Sequence, residues 1–155
     1  MPIQEDNELK INNNLLPLRL QESLRTGGWT RPGEGYSGRW NDPSKISEFK
    51  KIFPYVENPV PQFFSFEAMQ RINEMWSNPE IASNYLGIVS DTHIPGDIDP
   101  SKTVIIGESE PDSPIALDFR TAVPKVIYFC DIDTESYWVE ATESVDALIE
   151  KLGLD

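Results

Sequence analysis

The sequence predicts an α+β domain in which helices pack against a mostly antiparallel central sheet. In the first half of the chain, apolar residues recur three and four positions apart between Gly and Pro residues, which is typical of helices. In the second half the period changes, and short strand-like segments precede one closing amphipathic helix. Helices gathered early and neighbouring strands placed late favour the α+β class.

Two helices are predicted near the start of the chain. Pro17 suits a first helical position, and Gly27 suits the position just after a helix. A loop rich in Gly and Pro follows over residues 29–41. The second helix begins after Asp42-Pro43 and is stopped by Pro54, with its apolar residues on one face.

A third and a last helix have clear caps and apolar stripes. Ser65 can cap the third helix. The stripe predicted to be buried on this helix consists of Met69, Ile72, Met75 and Trp76. The last helix begins after a cap at Ser144 or Thr142, has one apolar face, and ends at Gly153.

The predicted strands lie between these two helices. Large apolar residues at 115, 117 and 119 alternate with Ala116 and Asp118, which is the pattern of a half-buried strand. Residues 126–130 are apolar on both faces, which is expected of a central strand covered by helices. Residues 131–136 indicate a hairpin connection into a further strand that begins at Tyr137.

Length and composition predict a single packed domain over residues 15–155, preceded by a flexible, polar N-terminal arm over residues 1–14. The longest apolar run is residues 126–130, far short of the roughly 20 residues that a membrane span needs. The N-terminus lacks the apolar segment of a secretory signal. The single Cys130 is expected to be a small core residue, and the expected location is the reducing cytoplasm.

The net charge of −13 is concentrated in the second half of the chain. Residues 1–90 hold 9 Lys and Arg against 11 Asp and Glu, whereas residues 91–155 hold 4 against 15. The acidic second half of the chain would repel nucleic acid and anionic membranes, because proteins bind both of these through basic surfaces. The charge is then either a solvated face that keeps the protein soluble or a surface complementary to a basic partner.

One motif invites a catalytic interpretation that the composition excludes. Asp91 and His93 lie in a Gly-Ile-Val-Ser-Asp-Thr-His segment similar to the opening of calcineurin-like metallophosphoesterases. Two-metal hydrolysis needs several further His, Asp and Asn ligands. His93 is the single histidine, so the later motifs of that family are not present. The segment is therefore predicted to be a polar turn.

Other site chemistry is equally sparse. Asp97-Ile-Asp and Asp131-Ile-Asp place carboxylates two positions apart, but neither has the spacing of a calcium loop. General acid–base chemistry stays open for these pairs, although such pairs are too common to be informative. One His and one Cys are too few for a zinc site. We therefore expect no catalytic residue, metal or cofactor, and no enzymatic activity.

Several short motifs follow one another in a characteristic order along nearly the whole chain. They are Leu16-Pro-Leu, Gly27-Gly-Trp-Thr-Arg-Pro, Ile105-Ile-Gly-Glu, Asp112-Ser-Pro-Ile-Ala-Leu-Asp-Phe-Arg-Thr, Pro124-Lys-Val-Ile-Tyr-Phe, Trp138-Val-Glu-Ala and Ser144-Val-Asp-Ala-Leu-Ile-Glu-Lys-Leu. This ordered set resembles the SUKH superfamily, which includes fungal Smi/Knr-type regulators of cell-wall synthesis and many bacterial proteins. Asp118 and Arg120 lie where the motif is strongest and are expected to form an intramolecular contact.

The resemblance implies a non-catalytic protein-binding domain. For bacterial members it implies an immunity protein that binds and blocks a cognate polymorphic toxin, often a nuclease. A nuclease surface is basic, so the acidic half becomes the expected docking face. Of the adjacent aromatic residues Tyr137 and Trp138, one is expected to point into the core, so at most one is expected to be an interface anchor. The candidate partner-binding residues are Glu108, Glu110 and Asp112 in one expected loop, Asp131, Asp133 and Glu135 in the next expected loop, and the aromatic residues Tyr137 and Trp138.

Two alternatives remain open at this stage. The domain could be a regulatory or scaffold module like the fungal relatives, with no toxin partner. It could also be a structural protein whose charge serves only solubility. The sequence does not indicate the oligomeric state or the identity of the partner.

Overall fold

The computed structural model of the protein describes residues 8–35 and 37–155, which form one α+β domain as the sequence predicts. The helices are α1 (Leu18–Thr26), α2 (Pro43–Ile52), α3 (Phe66–Trp76), α4 (Pro79–Ala82) and α5 (Val145–Leu152), with 3-10 turns at Arg31–Gly33, Ser83–Tyr85 and Pro100–Lys102. The strands are β1 (Lys10–Ile11), β2 (Asn14–Leu15), β3 (Gln62–Phe63), β4 (Pro95–Gly96), β5 (Thr103–Glu110), β6 (Ser113–Asp118), β7 (Lys125–Ile132) and β8 (Glu135–Thr142).

The central sheet has six strands in the order β3-β5-β6-β7-β8-β4, and every neighbouring pair is antiparallel. The four long strands β5 to β8 follow one another in sequence, and the two-residue strands β3 and β4 cover the outer edges. Short edge strands limit pairing with other chains. Across the part of the chain that is described, none of the helices has the length and apolar character needed to cross a bilayer.

Both faces of β7 and β8 are covered by aromatic side chains. On one face the Tyr128 ring meets Phe53, which follows α2, at a centroid distance of 5.0 Å. On the other face Trp138 lies opposite Phe129 and meets Trp76 of α3 at 6.3 Å. Tyr128 and Trp138 are fully buried. The prediction of a central strand covered on both faces is therefore confirmed for residues 126–130.

Local caps set most helix boundaries as the sequence indicates. The side chains of Asp42, Ser65 and Ser144 each accept a backbone N–H from the first turn of the helix that follows. Gly27 and Gly153 end α1 and α5 with φ of +83° and +64°, in the left-handed region that glycine adopts without strain.

Two helical details differ from the prediction. Pro17 precedes α1 as its capping residue instead of being its first residue. In α3 the Met75 side chain is 56% exposed, whereas the polar Asn73 is buried. Asn73 faces the edge of β5, where its Oδ1 accepts from the backbone N of Ile105 at 2.8 Å and its Nδ2 donates to the Ile105 oxygen at 2.9 Å. This amide therefore satisfies backbone groups that a further strand would otherwise pair.

The N-terminal segment also differs from the expected flexible arm over residues 1–14. Residues 1–7 lie outside the described residues, but residues 10–15 form the β1–β2 hairpin. Its turn residues Asn12 and Asn13 have φ of +50° and +65°, which Asn tolerates better than most residues. Leu9 and Ile11 are buried in the main core, so burial of apolar surface holds the hairpin in place.

The last residues of the described chain pack against the Gly27-Gly28 step. A Cβ atom at Gly28 would lie 2.4 Å from the backbone C and O of Asp155. Ser23 Oγ donates to the backbone oxygen of the buried Leu154. Arg19 forms ion pairs with Asp155 at 3.0 Å and Glu150 at 2.7 Å. The close approach of the two backbones at Gly28 and Asp155 explains why residue 28 is a glycine.

Gly28→Ala should destabilise the protein by about 2 kcal/mol or more, because the added methyl meets backbone atoms that cannot move independently. Gly27→Ala is the matched control, since its Cβ would enter open space and only the positive φ is strained, at about 1 kcal/mol. Urea unfolding of both variants measures the difference. A smaller decrease in the free energy of unfolding for Gly28→Ala than for Gly27→Ala would contradict the packing described.

Asn73→Leu should lower the free energy of unfolding by about 3 kcal/mol. The substitution keeps the number of side-chain heavy atoms and the branching at Cγ, but it leaves the buried backbone N and O of Ile105 without their partners. Asn84→Leu is the control, because Asn84 is exposed and donates only to a carbonyl of its own helical region. Equal effects of the two substitutions in denaturant unfolding would show that the bonds to β5 contribute little.

Candidate functional site

Two hairpin turns lie side by side at one end of the central sheet. The β5–β6 turn contains Asp112 and the β7–β8 turn contains Asp133, with φ of +67° and +58°. Because β5 to β8 are consecutive antiparallel strands, the first and third connections lie at the same end and the β6–β7 connection lies at the other. The topology therefore brings together the two acidic segments that the sequence analysis selected.

A groove of about 580 Å³ opens between these turns and the loop that follows α2. Four carboxylates line it, from Glu57, Glu110, Asp112 and Asp131. Among its described lining residues none is Lys, Arg or His. The other lining residues are Tyr55, Val56, Asn58, Pro111, Ser113, Phe129 and Cys130. We call this set of residues the acidic groove.

Glu108 is positioned differently from the other candidates. It lies within β5 instead of in a loop, and its carboxylate forms an ion pair with Arg39. Arg39 also donates from Nη1 to the Val60 oxygen at 2.9 Å. Both side chains of the pair are largely buried, at 23% and 21% exposure. Glu108 therefore ties the loop before α2 to the sheet, and its charge is compensated within the protein.

The remaining acidic candidates lie in or beside the two turns. Glu110 ends β5, Asp131 lies near the end of β7, and Glu135 begins β8. Asp131 accepts from Ser136 Oγ at 2.5 Å, and Asp112, Asp131, Asp133 and Glu135 are exposed. Only Asp112 and Asp133 lie in turns, which corrects the expectation that all six acidic candidates are loop residues.

The two aromatic candidates have different environments. Trp138 is fully buried and its Nε1 donates to the Tyr85 oxygen at 2.6 Å, so it belongs to the core and is not a surface anchor. Tyr137 is half-buried, and its hydroxyl donates to Glu135 Oε2 at 2.8 Å. This hydrogen bond is the main reason why the pKa of Tyr137 is raised. The expectation that one of the pair faces the core is confirmed.

Tyr137 belongs to a row of three rings beside the groove. The His93 ring stacks on Tyr137 at a centroid distance of 4.9 Å and meets the edge of Tyr55 at 5.8 Å. Tyr55 is 45% exposed and also lines the acidic groove. His93 itself lies in a polar turn in which Ser90 Oγ accepts its backbone N–H at 3.1 Å. The Asp91–His93 segment is thus a turn, as predicted.

Glu57 and Tyr55 are site residues that sequence reasoning missed. They lie in the loop after α2, far along the chain from the two turns, and the backbone N of Tyr55 donates to Tyr128 Oη at 3.3 Å. The only signal in the sequence was a short polar and aromatic segment between Pro54 and Pro59. Such a segment gives no information on which part of a sheet it contacts.

Asp118 and Arg120 form a structural network at the opposite end of β6. Arg120 Nε donates to both oxygens of the buried Asp118 at 3.0 and 3.3 Å, and Arg120 Nη2 donates to the Asp97 backbone oxygen at 2.7 Å. The guanidinium thereby joins β6 to the segment after β4. The expected intramolecular contact of this pair is confirmed.

Cys130 lines the inner wall of the groove but its thiol is buried. Burial, with the nearby Asp131 charge as a smaller cause, raises the pKa of Cys130 from its ordinary value of 9.0 to about 12. The thiol is therefore protonated at neutral pH and is a poor nucleophile. Within residues 8–35 and 37–155, no three His, Cys, Asp or Glu side chains are grouped so as to hold a metal ion.

No protein-family model, curated protein or solved structure matches the chain. The fold and the site together define an α+β domain with an acidic groove at one end of an antiparallel sheet. Membership of the SUKH superfamily stays a prediction that rests on the ordered motifs in the sequence.

The raised pKa of Cys130 predicts a pH dependence of stability. The unfolded thiol ionises near pH 9 while the folded thiol stays protonated to about pH 12, so the unfolded state is favoured as pH rises through this window. Cys130→Ala should therefore show a shallower loss of stability above pH 9 than the wild type. Chemical denaturation of both proteins across pH 8 to 11 tests this. If the free energy of unfolding falls with pH at the same rate in both proteins, the thiol does not contribute to the pH dependence.

Proposed function

We propose that this protein is a non-catalytic binding protein of the immunity type, which captures a basic toxin domain through the acidic groove and blocks it. The observation that supports this best is the convergence of four carboxylates on one groove without a basic lining residue among those described. A nuclease domain that grips phosphates needs a basic surface, and an acidic groove can compete for that surface. The ordered SUKH-like motifs support the same proposal.

The chemistry of the groove suits a Lys-rich or Arg-rich surface. Carboxylates form strong bonds with Arg, often through two parallel hydrogen bonds, and Asp112 and Asp131 are exposed enough to form them. Tyr55 and Tyr137 flank these charges with exposed or half-buried rings that can stack on a guanidinium. A tyrosine beside charged residues is a common arrangement in interface hot spots.

The electrostatic field also suits rapid capture. Residues 91–155 hold 15 acidic against 4 basic residues, and two turns of this half lie at the same end of the sheet. Steering by such a field raises association rates by roughly 10- to 10³-fold at low salt. An immunity protein benefits from this, because it has to bind the toxin before the toxin reaches its substrate.

Neutralising the groove should weaken binding of the basic partner about tenfold or more and flatten its salt dependence. The test variant is Glu57→Gln/Asp112→Asn/Asp131→Asn. The control variant, Glu22→Gln/Glu48→Gln/Glu143→Gln, changes the net charge equally at exposed sites outside the groove. Each protein is used to capture partners from lysate and secreted fractions of its source at low and high salt, and binding rates of the captured protein are then measured.

The outcomes separate the alternatives. The proposal is supported if wild type and control capture one basic, toxic protein and if this capture is lost in the groove variant and at high salt. Rescue of cells that express the toxic protein, by co-expression of the wild-type binding protein, also supports it. Capture of cell-wall or signalling proteins instead supports the regulatory alternative. Equal binding of both triple variants would contradict the groove as the docking face. A gene for a large polymorphic toxin beside this one would be independent support.

A further inference from the structure

A second cleft lies at the start of β5, at Thr103, whereas the acidic groove lies at the end of this strand, at Glu110. The second cleft has a volume of about 680 Å³ and lies between the β1–β2 hairpin, the α3–α4 region and the 3-10 turn before β5. Apolar surface comes mainly from Trp76, Pro79, Ala82, Leu86 and Pro100. This size and this lining are typical of sites for small organic molecules.

The aromatic wall of the cleft is held in place before any ligand arrives. The Trp76 ring stacks on Tyr85 at a centroid distance of 4.8 Å and meets the edge of the buried Trp138 at 6.3 Å. On the opposite side, Asn14 Nδ2 donates to the Ser101 backbone oxygen at 3.4 Å and joins the hairpin to the 3-10 turn. Binding would therefore cost little ordering of side chains.

The hydroxyl groups of the cleft are committed as hydrogen-bond donors within the protein, whereas the side-chain amide of Asn12 also lines the cleft and carries donors of its own. Four hydroxyls line the cleft, and each donates its own proton within the protein, so that these four groups offer a ligand only oxygen lone pairs. The bonds run from Ser77 to the Glu74 oxygen, from Ser83 to the Glu80 oxygen, from Ser101 to Asp99 Oδ1, and from Thr103 to the Asp99 backbone oxygen, at 2.5, 2.9, 2.8 and 2.7 Å.

Asp99 adds a charged acceptor at the cleft. Hydrogen bonds from the side chain and backbone of Ser101 lower the pKa of Asp99, so its carboxylate is ionised at neutral pH. Both bonds from Ser101 go to Oδ1, which leaves Oδ2 available to a further donor. Among the described lining residues none is Lys, Arg or His, so Asp99 is the charged group that a ligand meets there, while the charges of Arg120 and Lys102 act on Asp99 from outside the lining.

We infer that this cleft binds a small organic cation, with a flat aromatic body against Trp76 and a protonated amine directed at Asp99. The Asp99 carboxylate and the four hydroxyl oxygens favour a ligand that brings donors, and the apolar wall favours a body without polar groups. Indole rings also attract cations to their faces. The net charge of −13 favours a cation further. The inference does not depend on the proposed toxin binding, because the two sites share no lining residue.

Phenethylamine is the probe, with 2-phenylethanol and 3-phenylpropionate as neutral and anionic analogues of the same shape. Titration of the full-length protein, followed by NMR shifts of the Trp76 indole and neighbouring amides, should give a millimolar dissociation constant for the amine. The alcohol should bind about tenfold more weakly, and the acid should not bind measurably. Equal binding of the amine and the alcohol, or no binding of the amine, would overturn the inference.

Asp99→Asn should weaken amine binding about tenfold, since it removes the charge. Asn retains the capping oxygen that Ser101 uses, so folding should be preserved. Asp42→Asn is a closely matched control, because Asp42-Pro43-Ser44 has the same sequence and the same capping bonds as Asp99-Pro100-Ser101 but lies outside the cleft. Ser83→Phe should fill the cleft and abolish binding of the amine. Retained binding in Asp99→Asn and Ser83→Phe would assign the shifts to another site and overturn the inference.

Discussion

Tyr128 and Trp138 project from opposite faces of the β7–β8 pair, and this requires that helices cover both sides of the sheet. Phe53, just after α2, meets Tyr128, and Trp76 at the end of α3 meets Trp138. Buried aromatic side chains dominate core energetics because each removes a large apolar area from water. The positions of the loop after α2 and of the α3–α4 region follow from these two contacts. Both surface sites described above are built on those same segments.

The location of the negative charge is a consequence of this double-sided burial. Strands covered on both faces cannot hold unpaired carboxylates, because an isolated buried charge is costly, so most acidic residues lie at strand ends and in turns. Asp118 is the buried exception and is compensated by Arg120. The half-buried Glu108 is compensated by Arg39. Five further carboxylates lie at the end of the sheet where the two hairpin turns meet, namely Glu110, Asp112, Asp131, Asp133 and Glu135.

The sequence was informative where structure is local and less so where it depends on distant contacts. Caps and apolar periodicity predicted α1, α2, α3 and α5 and the strands β6, β7 and β8, since these depend on residues a few positions apart. The role of Asn73 was missed because a polar residue counts against a buried stripe, although the β5 edge needs its amide. The hairpin at residues 10–15 was missed because its Asn-Asn turn lies among polar residues. Glu57 joins the groove only through tertiary packing, which no local pattern encodes.

The carboxylates proposed for partner binding are largely separate from the residues that form the core. The exposed carboxylates Glu57, Asp112 and Asp131 line the acidic groove, while the core is formed by the interior of the strands and by the helices. Substitutions at these carboxylates change few buried contacts, and surface changes of this kind alter stability by about 0.5 kcal/mol or less. The charge and shape of the proposed binding surface can therefore change while the scaffold stays constant, which gives the fold a wide capacity for retargeting.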